Sequence, residues 1–178
     1  MDIKGIKKEL AGLMGTMLRV DPITGVPYTA PPAMIGARVK ALSEAPMSLA
    51  ETDLPTWLFY VGSAAYPAPP DQTVGRLSKE TRDIVCCLYV CIAQAGIDGE
   101  AERKALPYMD VSRNLFQSHP LIYDGNISDR VPGIMRAYLV KDDGIVQLKF
   151  GTGEPITYDG LRYTLRFDGY NEVTYGNE

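Results

Sequence analysis

The sequence predicts an α+β fold, an antiparallel β-sheet with two main helices packed on one face and long proline-rich loops. Three observations carry that prediction. An amphipathic helical pattern opens the chain, a second helical pattern follows a long apolar strand pattern, and the C-terminal part alternates in strand fashion between Asp-Gly pairs. With 178 residues, 46% hydrophobic and 22% charged, the chain has the proportions of one soluble domain whose core needs neither metal nor disulfides. The expected organisation is a single domain over 1–178 with extended loops at 20–33 and 62–75.

The first helix is expected over Asp2–Leu18. Ile3, Ile6, Leu10, Leu13, Met14 and Met17 recur at helical spacing, and Lys4, Lys7, Lys8 and Glu9 take the other faces. Gly5, Gly12 and Gly15 weaken it by about 1 kcal/mol each relative to Ala, so it needs a surface to lie on. Asp21–Pro32 holds four prolines and a glycine and reads as an exposed loop. Met34–Ala41 is ambiguous between helix and strand, and the alternation of Ile35, Ala37, Val39 and Ala41 favours a half-exposed strand. Thr56–Val61, bounded by Pro55 and Gly62, reads as a buried strand. Gly62–Gly75, with Pro67, Pro69 and Pro70, is expected to be irregular.

Ser78–Ala93 is the longest strand candidate. Its charged start, Lys79–Asp83, suggests an end projecting beyond the core, and Ile84–Ile92 is apolar on both faces, as in a central strand. Asp98 and the acids Glu100 and Glu102 then mark a helix N-terminus. That helix should run to about Ser118, kinked or loosened at Pro107 and stopped before Pro120. Two hairpins are expected after it. Asp142-Asp143-Gly144 would turn Ile134–Lys141 into Ile145–Phe150, and Asp159-Gly160 would turn Pro155–Tyr158 into Leu161–Tyr170. In the last strand Leu161, Tyr163, Leu165 and Phe167 should face the core, and Arg162, Thr164, Arg166 and Asp168 the solvent.

Charge and composition exclude several function classes. The net charge is −4, with residues 1–50 at +2 and 51–178 at −6, and adjacent basic residues come only in pairs such as Lys7-Lys8. A sequence reader of DNA needs far more cation than that. No apolar run is long enough to cross a bilayer, and Met1–Lys4 lacks the look of a signal peptide. The expectation is a soluble protein inside the cell that makes it. Cys86, Cys87 and Cys91 match no zinc spacing and read as reduced core thiols, with Cys86 on one face of a strand and Cys87 and Cys91 on the other.

No catalytic, cofactor-binding or metal-binding constellation emerges from the sequence. His119 is the sole histidine and sits at a helix end. Asp98, Glu100 and Glu102 fit helix capping, and Asp142-Asp143 fits turn chemistry. Gly151-Thr152-Gly153 lacks the Gly-Lys-Ser/Thr ending of a phosphate loop and reads as a turn between strands. Tyr158, Tyr163, Tyr170, Tyr175 and Phe167 read as core or subunit-interface packing. The stretch Gly62–Gly75 is longer than a hairpin needs, so it reads as a partner-contacting loop, with Tyr66, Pro67, Pro69 and Pro70 as candidate interface residues.

Several motifs together resemble the neck proteins of long-tailed bacteriophages, most closely the tail terminators. They are Asp53-Leu54-Pro55 before a short apolar strand, Lys79–Arg82 leading into Leu88-Tyr89-Val90, and the run Gly96–Glu102. Phe116-x-x-His119-Pro120-x-Ile122, Asp143-Gly144 and Tyr158-Asp159-Gly160 complete the set. The likeness covers about residues 35–170, and Asp21–Pro32 departs from it as an insertion. The resemblance implies a non-enzymatic virion protein of the tail or neck, assembled in the host cytoplasm. It would form a ring, expected to be a homohexamer, on the head-proximal end of the tail tube. Its partners would be its own copies, the tail tube protein and the head–tail connector or stopper. DNA would only pass through the lumen, and neither membrane nor cofactor would be involved. A connector stopper or tube-like virion protein is the alternative, and a small cytoplasmic enzyme or ligand-binding domain a more distant one.

Overall fold

The structure, a computed structural model, describes residues 1–17, 40–65, 73–74, 77–93, 99–118 and 133–172. The loop expected at 21–32, most of the strand expected over 34–41, Asp98, His119 and Pro120 lie outside them.

Helix α1 spans Ile3–Met17. Asp2 caps it, its Oδ1 accepting the Gly5 N–H at 3.0 Å. Ile6, Leu10 and Met14 are fully buried, the stripe the spacing predicts. Strand β1 (Lys40–Leu42) leads through residues 43–55, including a 3-10 turn at Glu51–Asp53, into β2 (Thr56–Ala65). After β2 come the short β3 (Thr73–Val74), β4 (Leu77–Ile92), helix α2 (Glu100–Ser118), β5 (Ile134–Phe150) and β6 (Ile156–Glu172).

The sheet order is β1-β2-β4-β6-β5, with β3 pairing the start of β4. The α+β expectation holds; the all-antiparallel expectation does not. β1 runs parallel to β2 in the register Lys40↔Thr56, and every other pairing is antiparallel. The 43–55 segment returns the chain so that β1 and β2 point the same way, and residue alternation carries no record of that direction.

Both helices pack on one face. Ile6, Leu10 and Met14 of α1, and Ala105, Tyr108 and Phe116 of α2, join Trp57, Phe59, Ile84, Cys86 and the inward residues of β6 in one core. Trp57, Phe116 and Tyr163 form an aromatic knot, with centroids 6.4, 6.2 and 5.0 Å apart. Helix α2 runs to Ser118 as expected and is continuous through Pro107. Leu161, Tyr163, Leu165 and Phe167 are buried as expected.

Neither Asp-Gly pair turns a hairpin. β5 passes unbroken through Asp142-Asp143-Gly144, where Asp142 faces Tyr163, Gly144 faces Arg162, and Asp143 is the extra residue of a bulge. Gly144 adopts φ +66° and donates its N–H to Asp142 Oδ1 at 2.8 Å. Asp159-Gly160 lies in mid-β6, between Cys91 and Tyr89 of β4 and Gln147 and Val146 of β5. The real turn joins Phe150 to Ile156 through Gly151–Pro155, with Gly151 and Gly153 at positive φ. The expectation of a turn at Gly151-Thr152-Gly153 is thus met.

Three further expectations change. β2 continues past Gly62 to Ala65, with a bulge between Val61 and Ala64, and Thr73–Val74 is strand. Of the loop expected over 62–75, residues 62–65 and 73–74 are therefore sheet. The charged start of β4 does not project: it pairs with β6 throughout, and Glu80 and Asp83 are buried. Glu80 accepts the N-terminal ammonium of Met1 at 3.3 Å and the Arg82 guanidinium, while Asp83 takes Arg166. Finally, the bulge between Tyr89 and Cys91 rotates the strand, so Cys91 packs on the same side as Cys86 and opposite Cys87.

Candidate functional site: an aromatic groove on the helix-free sheet face

The sheet's second face has its own apolar cluster. Leu58 of β2, Cys87 and Tyr89 of β4, Leu148 of β5 and Tyr158 of β6 are buried beneath Leu49. Residues 43–55 form the roof, pinned where Tyr158 Oη donates to the Leu49 carbonyl at 2.6 Å. A second anchor is the Lys40 Nζ–Asp53 Oδ1 pair at 2.5 Å.

The roof stops short of the β5–β6 turn, leaving a concavity of ≈ 680 Å³. Ala45, Pro46 and Met47 form one wall, and Lys149, Phe150, Gly151 and Thr152 the other. The floor is Tyr60, Val85, Cys87 and Tyr89, with Arg162 at the polar end. Tyr60 Oη and Tyr89 Oη share a hydrogen bond of 2.9 Å, and the Tyr89 ring meets Phe150 edge-on at 5.7 Å. Met47 is fully exposed on the rim.

Electrostatics keep this floor neutral. Burial raises both phenols, and the Tyr60 hydrogen bond raises Tyr89 further. Burial likewise pushes the Cys87 thiol up to about 12 against the opposing pull of Arg162. Arg162 is itself paired, its Nε donating to Asp143 Oδ2 at 2.6 Å. A neutral aromatic floor with Lys149 on its wall and the Asp143-paired Arg162 at its end suits an apolar or proline-bearing segment carrying a carboxylate. The Cys87 thiol is too weak an acid to act as a nucleophile at neutral pH.

Beyond the groove the same face becomes a ladder of ion pairs. Arg166 Nε and Nη2 grip Asp83 at 2.8 and 3.0 Å, and Ser63 adds a third bond to it at 2.9 Å. Arg136 Nε meets Asp168 at 2.6 Å, and Thr81 donates to the same carboxylate at 3.0 Å. Lys141 Nζ reaches Asp143 at 2.7 Å, while on the helix-covered face Arg113 Nε of α2 reaches Asp142 at 2.5 Å. Asp142 and Asp143 thus serve ion pairs rather than a turn.

Tyr66, Pro67, Pro69 and Pro70 lie outside the described residues. Among the described residues no group of three or more His, Cys, Asp or Glu could hold a metal ion, and no helix is long and apolar enough to cross a membrane. Tyr158, Tyr163 and Phe167 are fully buried core residues, as expected. Sequence reading missed Tyr60, Tyr89 and Phe150 as groove residues. Strand alternation does place Tyr60 with Leu58, and Tyr89 with Cys87 and Val85, but only the register brings those sets together. No protein-family model matches the chain, and no curated protein matches it.

Proposed function

We infer that this chain is a structural subunit that works by binding, a tail-terminator-like protein that closes a ring on the head-proximal end of a phage tail tube. The observation that carries this reading is the outer strand β5. It is 17 residues long and pairs only with β6 among the described residues. Met135, Tyr138 and Val140 stand exposed along it. A long outer edge with exposed apolar side chains is a template for association. Three bulges, at Ile134–Arg136, Leu139–Lys141 and Asp142–Gly144, interrupt its ladder, so open-ended strand addition is discouraged while a shaped contact remains available.

The resemblance implies an antiparallel sheet flanked by two helices; the two helices on one sheet support it, and the parallel β1–β2 pair departs from it. On this reading the partners are other copies of the chain, the tail tube protein and the head–tail connector or stopper, with DNA passing through the lumen. A connector stopper or tube-like virion protein would use the same surfaces at a different position. The test is imaging: purified protein added to tail tubes should cap one end as a ring. Decoration along the tube or at neither end would reject the terminator role.

A further inference from the structure

We propose that the aromatic groove is the receptor for the Tyr66–Pro70 arm of a neighbouring copy. The inference rests on the self-associating reading above and supplies a contact of its own. The sequence Tyr66-Pro67-Ala68-Pro69-Pro70-Asp71 contains the chain's sole Pro-x-x-Pro spacing. That spacing is the signature of an extended polyproline segment, which docks in aromatic-lined grooves at small entropic cost. The groove has the matching surface: the half-buried Tyr60 and Phe150 present rings over the buried Tyr89, and Lys149 stands exposed on the wall. The arm's Asp71 carries the complementary charge.

Geometry decides between the chain's own arm and a neighbour's. Residues 66–72 must carry the chain from Ala65 to Thr73. Ala65 pairs with Thr81 and Thr73 with Ser78, so Thr73 begins roughly 10 Å further from the groove. Fully extended, the connection spans roughly 28 Å. It can therefore double back only about 9 Å along β2, whereas Tyr60, opposite Val85 and so four β4 residues beyond Thr81, lies about 13 Å back. The chain's own groove is out of reach. An arm that must enter another copy's groove makes a head-to-tail contact, the kind that closes into rings.

Three variants test this in the full-length protein. Tyr66→Ala removes the arm's anchor, and Phe150→Ala opens the groove wall. Lys149→Glu, an exposed change that leaves the fold alone, repeats the groove test through charge. The two aromatic truncations are expected to weaken self-association about thirtyfold or more, the scale of a lost aromatic anchor, and Lys149→Glu about fivefold, the scale of a rim charge. Mixing Tyr66→Ala with Phe150→Ala or Lys149→Glu should yield dimers and nothing larger, because each such pair retains one intact arm and one intact groove. Variants that assemble like the parent overturn the proposal and leave the ring reading standing. If the parent never self-associates even with tubes present, the ring reading fails and a peptide of residues 65–72 decides the groove. Saturable shifts of the Tyr60, Cys87 and Phe150 amides support the assignment, and their absence overturns it. Tighter binding of a peptide of residues 25–33 also overturns it.

Discussion

Gly160 of β6 lies so close to β4 that a Cβ on it would fall 2.0 Å from the Leu88 carbonyl oxygen and 2.8 Å from Leu148 Cδ1. The two backbones meet there beside the bulge at Tyr89–Cys91. Gly160→Ala is expected to destabilise the protein by about 3 kcal/mol or more, since backbone and not a flexible side chain must give way. Gly12→Ala meets open space in the exposed middle of α1 and should stabilise by up to about 1 kcal/mol. Urea denaturation of both variants checks the opposite signs.

Phe116 fixes α2 to the sheet through its contacts with Trp57 and Tyr163. Phe116→Ala should cost about 3–5 kcal/mol. Leu106, on the exposed side of the same helix, should tolerate Ala within about 0.5 kcal/mol. Thermal melts followed by the fluorescence of Trp57, the single tryptophan, would report both.

The Asp83 carboxyl is held below its ordinary value first by the Arg166 hydrogen bonds, against desolvation, with further help from Ser63. Asp143 is lowered first by Lys141, again against desolvation, and then by Arg162. For Glu80 desolvation is the largest influence and raises its pKa, but the Arg82 and N-terminal hydrogen bonds together outweigh it. A carboxyl whose folded pKa lies below its unfolded value, about 4 for these groups, stabilises the fold fully above that value. The contribution is lost as pH falls through the folded pKa. Unfolding free energy should therefore be flat from pH 7 to about 5 and fall below about 4. Asp83→Asn should lower stability at pH 7 and make the acid limb shallower; an unchanged limb would show that this pair does not contribute.

Cys86 and Cys87 are buried, with both thiols pushed up by burial, whereas Cys91 is half-exposed. In the folded protein at pH 8 a thiol reagent should label Cys91 first, and Cys91→Ser should abolish the fast phase. Fast labelling of Cys87 would mean that the groove floor opens.

What was legible in the sequence was local periodicity. Ile6, Leu10 and Met14, the central strand Ile84–Ile92, the inward face of β6 and the turn at Gly151-Thr152-Gly153 all follow from spacing and turn chemistry. The two Asp-Gly pairs misled because glycine serves several ends. At Gly144 it permits positive φ inside a bulge, the same requirement a tight turn makes. At Gly160 it permits close approach of β4, which no local pattern encodes. Cys91 changed face because one bulge shifts alternation by a residue. The groove was illegible because β2, β4, β5 and the 43–55 roof each contribute a part. Those parts meet only through pairing register.

The central claim, a subunit that closes a ring through head-to-tail contacts, is tested most directly by mass. Sedimentation of the full-length protein across a concentration series, with and without tail tubes, should show one closed oligomer, a hexamer, that stops growing as concentration rises. A strict monomer that never binds tube ends, or an open series of ever larger species, would contradict it.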